Sequence, residues 1–107
     1  MGSDVVKRMV DAADAFLQAL STDQRSKAQL DFFDEAERKN WHYVPRERQG
    51  LSIRDMDERQ RLLAHKFVAS GVSGHGYDKI QTIISLEEVL AEIEGTGRRF
   101  PRDPQLY

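Results

Sequence analysis

Apolar side chains return at steps of three and four residues along most of the chain, and that spacing predicts four helices. Over residues 4–20, Val6, Met9, Val10, Ala13, Phe16, Leu17 and Leu20 form one stripe, while Asp11, Asp14 and Gln18 fall off it. Ser21-Thr22-Asp23-Gln24 carries the hydroxyl and the glutamine of a capping box and opens a short second helix to about residue 30. The short link predicts that these two helices pack as a hairpin. Asp55 is placed to cap a third helix through residue 70, with Met56, Leu63 and Phe67 as its stripe and Leu62 and Val68 widening it. Gly71 is expected to stop it in a left-handed conformation. Ser73 then caps a fourth helix to residue 94, closed by Gly95. Ile80, Ile83, Leu86, Leu90 and Ile93 line one side of it, and Ile84 and Val89 lie on others. So wide a girdle predicts a central helix, touched by neighbours on more than one face.

Two stretches refuse the helical period. Residues 34–53 read DEAERKNWHYVPRERQGLSI, where Pro45 biases Val44 away from helix and Gly50 punctuates the end. An extended or irregular excursion is expected there, and a connection this long in a small domain is either functional or draped over a core. Residues 95–107, GTGRRFPRDPQLY, hold two glycines, two prolines and three arginines and predict an irregular tail. The fold class that follows is all-α: a small bundle of about four helices with one long excursion. In domain terms, residues 1–94 form the helical unit and residues 95–107 a tail or severed linker.

Composition narrows the classes. A chain of 107 residues supports one modest core. Sixteen basic against 18 acidic side chains give a net charge of −2, which argues against a dedicated nucleic-acid binder. The absence of cysteine removes disulfides, thiolate metal sites and thiol nucleophiles. The longest apolar run is three residues, which argues against a membrane span. Met1-Gly2-Ser3-Asp4 leads straight into the amphipathic pattern without the features of a signal peptide, so a cytoplasmic setting is expected.

Residues 38–54 are the richest in chemistry. Arg38, Lys39, Arg46, Arg48 and Arg54 face only Glu47, a local charge of +4 in an acidic protein. Trp41, His42 and Tyr43 are interleaved among them. Alternation along an extended path puts Trp41 and Tyr43 on one side and His42 with Val44 on the other. Guanidinium groups bind carboxylates or phosphates through paired hydrogen bonds, and an imidazole beside them can move a proton. One reading is therefore an anion-facing wall of His42, Arg46 and Arg48, with His42 the candidate catalytic group and Trp41 and Tyr43 beside the substrate. The other reading has Trp41 and Tyr43 plugging the helical core while the arginines pair with helix acids such as Glu87, Glu88, Glu92 and Glu94. Elsewhere, Ser73-Gly74-His75-Gly76-Tyr77 sets glycine-flanked N–H groups at a helix start, but lacks the lysine of a phosphate loop and reads as a tight turn. His42, His65 and His75 show no metal-ligand spacing, and no metal is assigned; the cofactor is left open. His65, at the border of the third helix's stripe, reads as a packed or half-exposed histidine.

The order of landmarks resembles a known family. Ser21-Thr22-Asp23-Gln24-Arg25, then Asn40-Trp41-His42-Tyr43-Val44-Pro45-Arg46-Glu47-Arg48-Gln49-Gly50-Leu51, then Gln60-Arg61, Gly76-Tyr77, Ser85-Leu86-Glu87-Glu88-Val89-Leu90 and Arg102-Asp103-Pro104 with Tyr107 are similar to the N-terminal part of the domain-of-unknown-function 3500 family. The Trp-His-Tyr-x-Pro-x-x-Arg-x-Gly string is its most specific part. The resemblance implies a largely bacterial protein whose longer relatives continue into β-rich sequence with paired histidines. It further implies a truncated or split chain in which His42, Arg46 and Arg48 face a site completed by that β-rich part.

Two functions compete on this basis. One is a helical interaction or scaffold subunit that docks on a β-rich second chain and shapes its pocket. The alternative is a component of a multi-chain metal-assisted hydrolase or oxidoreductase, supplying anion-binding arginines and His42.

Overall fold

The computed structural model describes residues 2–40, 48–95 and 102–107. Among the described residues there are five α-helices, α1 (Gly2–Gln18), α2 (Thr22–Ala28), α3 (Glu35–Arg38), α4 (Glu58–Ser70) and α5 (Gly74–Glu94), with 3₁₀ turns at Ile53–Asp55 and Pro104–Leu106. No strand occurs among the described residues, and the protein is a small all-α bundle. Four of the helices are those expected from periodicity. The fifth, α3, is a single turn capped by Asp34, whose side chain accepts from the Glu37 N–H at 3.1 Å.

The caps explain where the helices begin. Ser21 and Gln24 form a capping box on α2, as their spacing predicts. On α4 the cap is Asp57 rather than Asp55, because Gln60 stands three residues on and closes a second box. Asp55 instead lies in the 3₁₀ turn that precedes it, with its carboxylate accepting from Ser52 at 3.1 Å. Ser73 caps α5 by accepting from the Gly76 N–H at 2.9 Å, and Gly95 ends it at φ +77°, where a side chain would be strained. Gly71 ends α4 differently from expectation: its φ is −101°, not left-handed. A Cβ on it would come within 3.2 Å of the Met9 Cε, a tight contact that the flexible end of Met9 would have to yield to.

The central contact is α1 against α4. Phe16 of α1, Leu20 just after it and Met56 before α4 are the buried apolar residues among those described, joined by partly buried Leu17, Ala28, Leu51, Leu63, Ala64 and Phe67. The α1–α2 hairpin expected from the short link gives way to this pairing. α2 is tied in by polar contacts, Arg25 donating to the Leu17 carbonyl from both Nε (3.3 Å) and Nη2 (2.8 Å).

Gln60 joins that core although it is polar, at 6% exposure. Its Nε2 donates to the Ala19 carbonyl and to Gln24 Oε1, both at 2.8 Å. Its Oε1 accepts from the Asp57 N–H at 2.9 Å and from Gln24 Nε2 at 3.0 Å. Gln24 in turn donates to the Asp55 carbonyl at 2.7 Å and accepts from the Ser21 N–H at 2.9 Å. Two capping boxes are thus locked together by a reciprocal amide pair, every donor and acceptor of which is used.

The N-terminal half of α1 and most of α5 lie outside this core. Val6, Val10, Ile83, Leu86, Val89 and Ile93 are exposed. Helix α5 is therefore peripheral rather than central, seated on α4 and on the C-terminal 3₁₀ turn. The chain exposes 8420 Å², against about 6,100 Å² for a compact monomer of its mass. Its radius of gyration is 15.2 Å, where roughly 13 Å is usual for this length.

Candidate functional site

Of the sequence-predicted site residues, Trp41, His42, Tyr43 and Arg46 lie outside the described residues. Arg48 is described, and its charge reaches the phenol of Tyr107. The other described cations of residues 38–54 have partners. Arg38 lies 4.5 Å from the centroid of the Phe32 ring, and Lys39 is 4.0 Å from Glu35. Arg54 pairs with Asp103.

That last pair belongs to a polar clamp that fastens residues 102–107 to the bundle. Asp103 also accepts from the Gln105 N–H at 2.9 Å and so caps the 3₁₀ turn. The Tyr107 carbonyl accepts from the Ile53 N–H at 2.6 Å. Arg102 holds Glu94 through two parallel hydrogen bonds, Nε to Oε2 at 3.1 Å and Nη2 to Oε1 at 3.3 Å. Its Nη1 donates to Glu87 at 3.4 Å, and the Tyr107 hydroxyl donates to the same oxygen at 3.3 Å. Glu87 and Arg102 are largely shielded here, with side chains 12% and 15% exposed.

The electrostatics of the clamp are closed. Hydrogen bonding to Glu94, with the charges of Glu94 and Glu87, raises the Arg102 pKa, while partial desolvation opposes it. Burial and the adjacent Glu87 push the Tyr107 phenol above its ordinary value, with Arg102 and Arg48 pulling the other way. The phenol is thereby held protonated, as a donor rather than a base. Glu87 and Glu94 pair with Arg102 of the tail. The clamp is not visible in the pattern of residues 95–107, which predicts only an irregular tail, although Arg102-Asp103 and Tyr107 stand among the family landmarks.

A second polar cluster joins α4 to α5. His65 Nδ1 lies 3.2 Å from the Tyr77 hydroxyl and 3.0 Å from Gln81 Nε2, and the His65 and Tyr77 rings meet edge to face. Tyr77 and Gln81 are four residues apart on α5, the spacing that brings two side chains to one neighbour. His65 is thus a packed, half-buried histidine. Among the described residues, no three His, Asp or Glu side chains gather in a way that could hold a metal ion. His75 is exposed and, with Asp78, Lys79, Thr82 and Ile83, borders a shallow depression on the outer face of α5. No described helix is long and apolar enough to cross a membrane.

Interlocked caps and an ion-paired clamp, with much apolar surface left over, define a small helical domain. The chain belongs to the family described as protein of unknown function DUF3500, whose model matches residues 2–107. No curated protein and no solved structure shows a significant match to it.

Proposed function

We propose that the protein is a helical scaffold module of the bacterial cytoplasm that docks on a β-rich partner and shapes the partner's pocket. The observation that supports this reading is the exposure of α5: Ile83, Leu86, Val89 and Ile93 are 56%, 47%, 48% and 74% exposed on a helix whose pattern is that of a core element. Contiguous apolar surface of this kind on a folded protein is characteristic of an interaction site. The clamp fits the same role, because it fixes α5 against the bundle and presents the helix as a rigid ridge. A rigid element loses little entropy on docking.

The test is reconstitution. The β-rich region of a longer family member, produced as a separate polypeptide, is mixed with this chain and the mixture is followed by size-exclusion chromatography with light scattering. A 1:1 complex is expected. Elution of two unassociated components at concentrations of about 50 μM, well above the dissociation constants of specific complexes of ordinary interface size, would rule the docking role out.

A further inference from the structure

We infer that residues 102–107 are a strap that couples the C-terminal half of α5 to the turn at Ile53–Asp55, so that the two loosen together as one unit while α1 and α4 hold. This is a conformational device and is independent of the docking role. The core lies elsewhere. Its buried residues, with the partly buried ones packed on them, fall between residues 16 and 28 and between residues 51 and 67, and among the described residues none comes from α5 or the strap. The C-terminal half of α5 can therefore open without dissolving the core, which is the condition for a sub-global opening.

The two ends of α5 are held differently. Near its start, Tyr77 and Gln81 engage His65 of α4. Further along, Arg102 holds Glu87 and Glu94, and Glu87 also accepts from the Tyr107 hydroxyl. The same strap reaches the turn, where the Tyr107 carbonyl accepts from the Ile53 N–H and Asp103 pairs with Arg54. Tyr107 thus grips both sides at once, the turn through its main chain and α5 through its phenol. Little inside the strap keeps it in place if one side lets go. None of residues 102–107 is buried, and the 3₁₀ turn among them is three residues long. So short a turn has no stability of its own. Losing the contacts to one side therefore weakens those to the other, and a helix end released from its neighbour frays. The Ile53 carbonyl accepts from Arg61 Nε at 3.0 Å, which keeps the turn on α4 when the strap leaves. Coupling is reciprocal: whatever draws Arg54 from Asp103 loosens α5, and whatever seats α5 protects the Ile53 amide.

Amide hydrogen exchange of the full chain, followed residue by residue by NMR, tests this. Arg54→Gln removes a half-exposed ion pair on the turn. It is expected to speed exchange at Leu90, Ala91 and Ile93 of α5 about two- to fivefold, the worth of a surface pair. Arg102→Gln, made on the α5 side, is expected to speed exchange of the Ile53 amide at least as much. Within each variant the factors at Ile53 and in α5 should agree to about twofold, because one opening event exposes both. The amides of α1 and α4 should keep their wild-type rates, which also shows that the variants fold. Acceleration confined to the mutated side would overturn the coupling. Equal acceleration throughout α1 and α4 would mean that no separate unit exists, and the inference fails.

Discussion

Replacing Gln60 by Leu removes the centre of the interlocked caps while leaving a side chain of similar size in the core. Four hydrogen bonds are lost: those to Ala19 and Gln24, and those from Asp57 and Gln24. At about 1 kcal/mol net for each, the gross loss is about 4 kcal/mol. Burial of the added apolar surface returns roughly 1–2 kcal/mol. The stranded groups sit close enough to the surface at Gln24 and Asp57 to regain water, so a net destabilisation of about 2–3 kcal/mol is expected. A domain of this length has roughly 5–15 kcal/mol in total, and one with so few buried apolar side chains belongs near the lower end. The substitution thus costs on the order of half the stability. In urea, with a slope of about 1.2 kcal/mol per molar, the midpoint falls by ~2 M.

Two companion variants separate the amide pair from general packing. In a double-mutant cycle, Gln24→Ala and Gln60→Ala should couple by about 1 kcal/mol or more, since each removes the other's partner. Gln60→Glu keeps the acceptor for the Asp57 N–H but sets a carboxylate against the Ala19 carbonyl. Its folded pKa is therefore raised, so the variant loses stability as pH climbs from the ordinary glutamate value toward that raised value, and recovers it on acidification. A Gln60→Leu midpoint within ~0.4 M urea of wild type, or a coupling energy indistinguishable from zero, would refute the interlock.

Three further outcomes follow from the other polar contacts. Arg102→Gln releases Glu87 and Glu94 and loosens residues 102–107, so the Ile53 amide, bonded to the Tyr107 carbonyl, should exchange with deuterium faster than the amides of α4; unchanged protection would count against the clamp. The Tyr107 phenol should ionise above pH 10 when followed at 295 nm, so its contribution to stability is intact below its unfolded pKa and falls as pH rises through the folded one. Arg48→Ala should move the transition higher and Glu87→Gln lower, and the opposite order would contradict the placement of these charges. Because the Gln81 side-chain nitrogen can only donate, neutral His65 must carry its proton on Nε2, which the imidazole nitrogen shifts in an NMR spectrum will show or deny.

How far the fold was legible depended on how local its causes are. The starts of α2 and α5 are set by side chains within three residues of the first turn, and Ser21 with Gln24 and Ser73 could be read directly. The start of α4 was misplaced by two residues because Asp55 and Asp57 are equivalent as acids; only the glutamine at position 60 distinguishes them. Non-local causes were not legible. Nothing in either capping box announces that Gln24 and Gln60, 36 residues apart, will share their amides. The clamp likewise joins Arg102 to Glu87 and Glu94 and Arg54 to Asp103, across intervals that no periodicity encodes. The candidate site in residues 38–54 was found from charge and aromatic content, signals of composition that carry no geometry. Of the five residues singled out there, Arg48 is among the described ones, and its charge opposes the rise of the Tyr107 pKa.

The misreading of α5 as the central helix has a physical lesson of its own. A hydrophobic pattern records how much of a helix must leave water, not which element removes it. In α5 the record is a broad stripe and a girdle of branched side chains, while α4 and the C-terminal turn cover only part of the circumference. The remainder keeps Ile93 at 74% and Ile83 at 56% exposure, an arrangement that water does not favour at this density of apolar groups. The clamp removes the cheapest escape, which would be for α5 to roll its apolar stripe inward. Rolling would break the Arg102 contacts to Glu87 and Glu94 and the hydroxyl bond from Tyr107 on one flank, and the Tyr77 and Gln81 contacts to His65 on the opposite face. A helix restrained on both sides and left apolar on a third is the feature on which the proposed docking role rests.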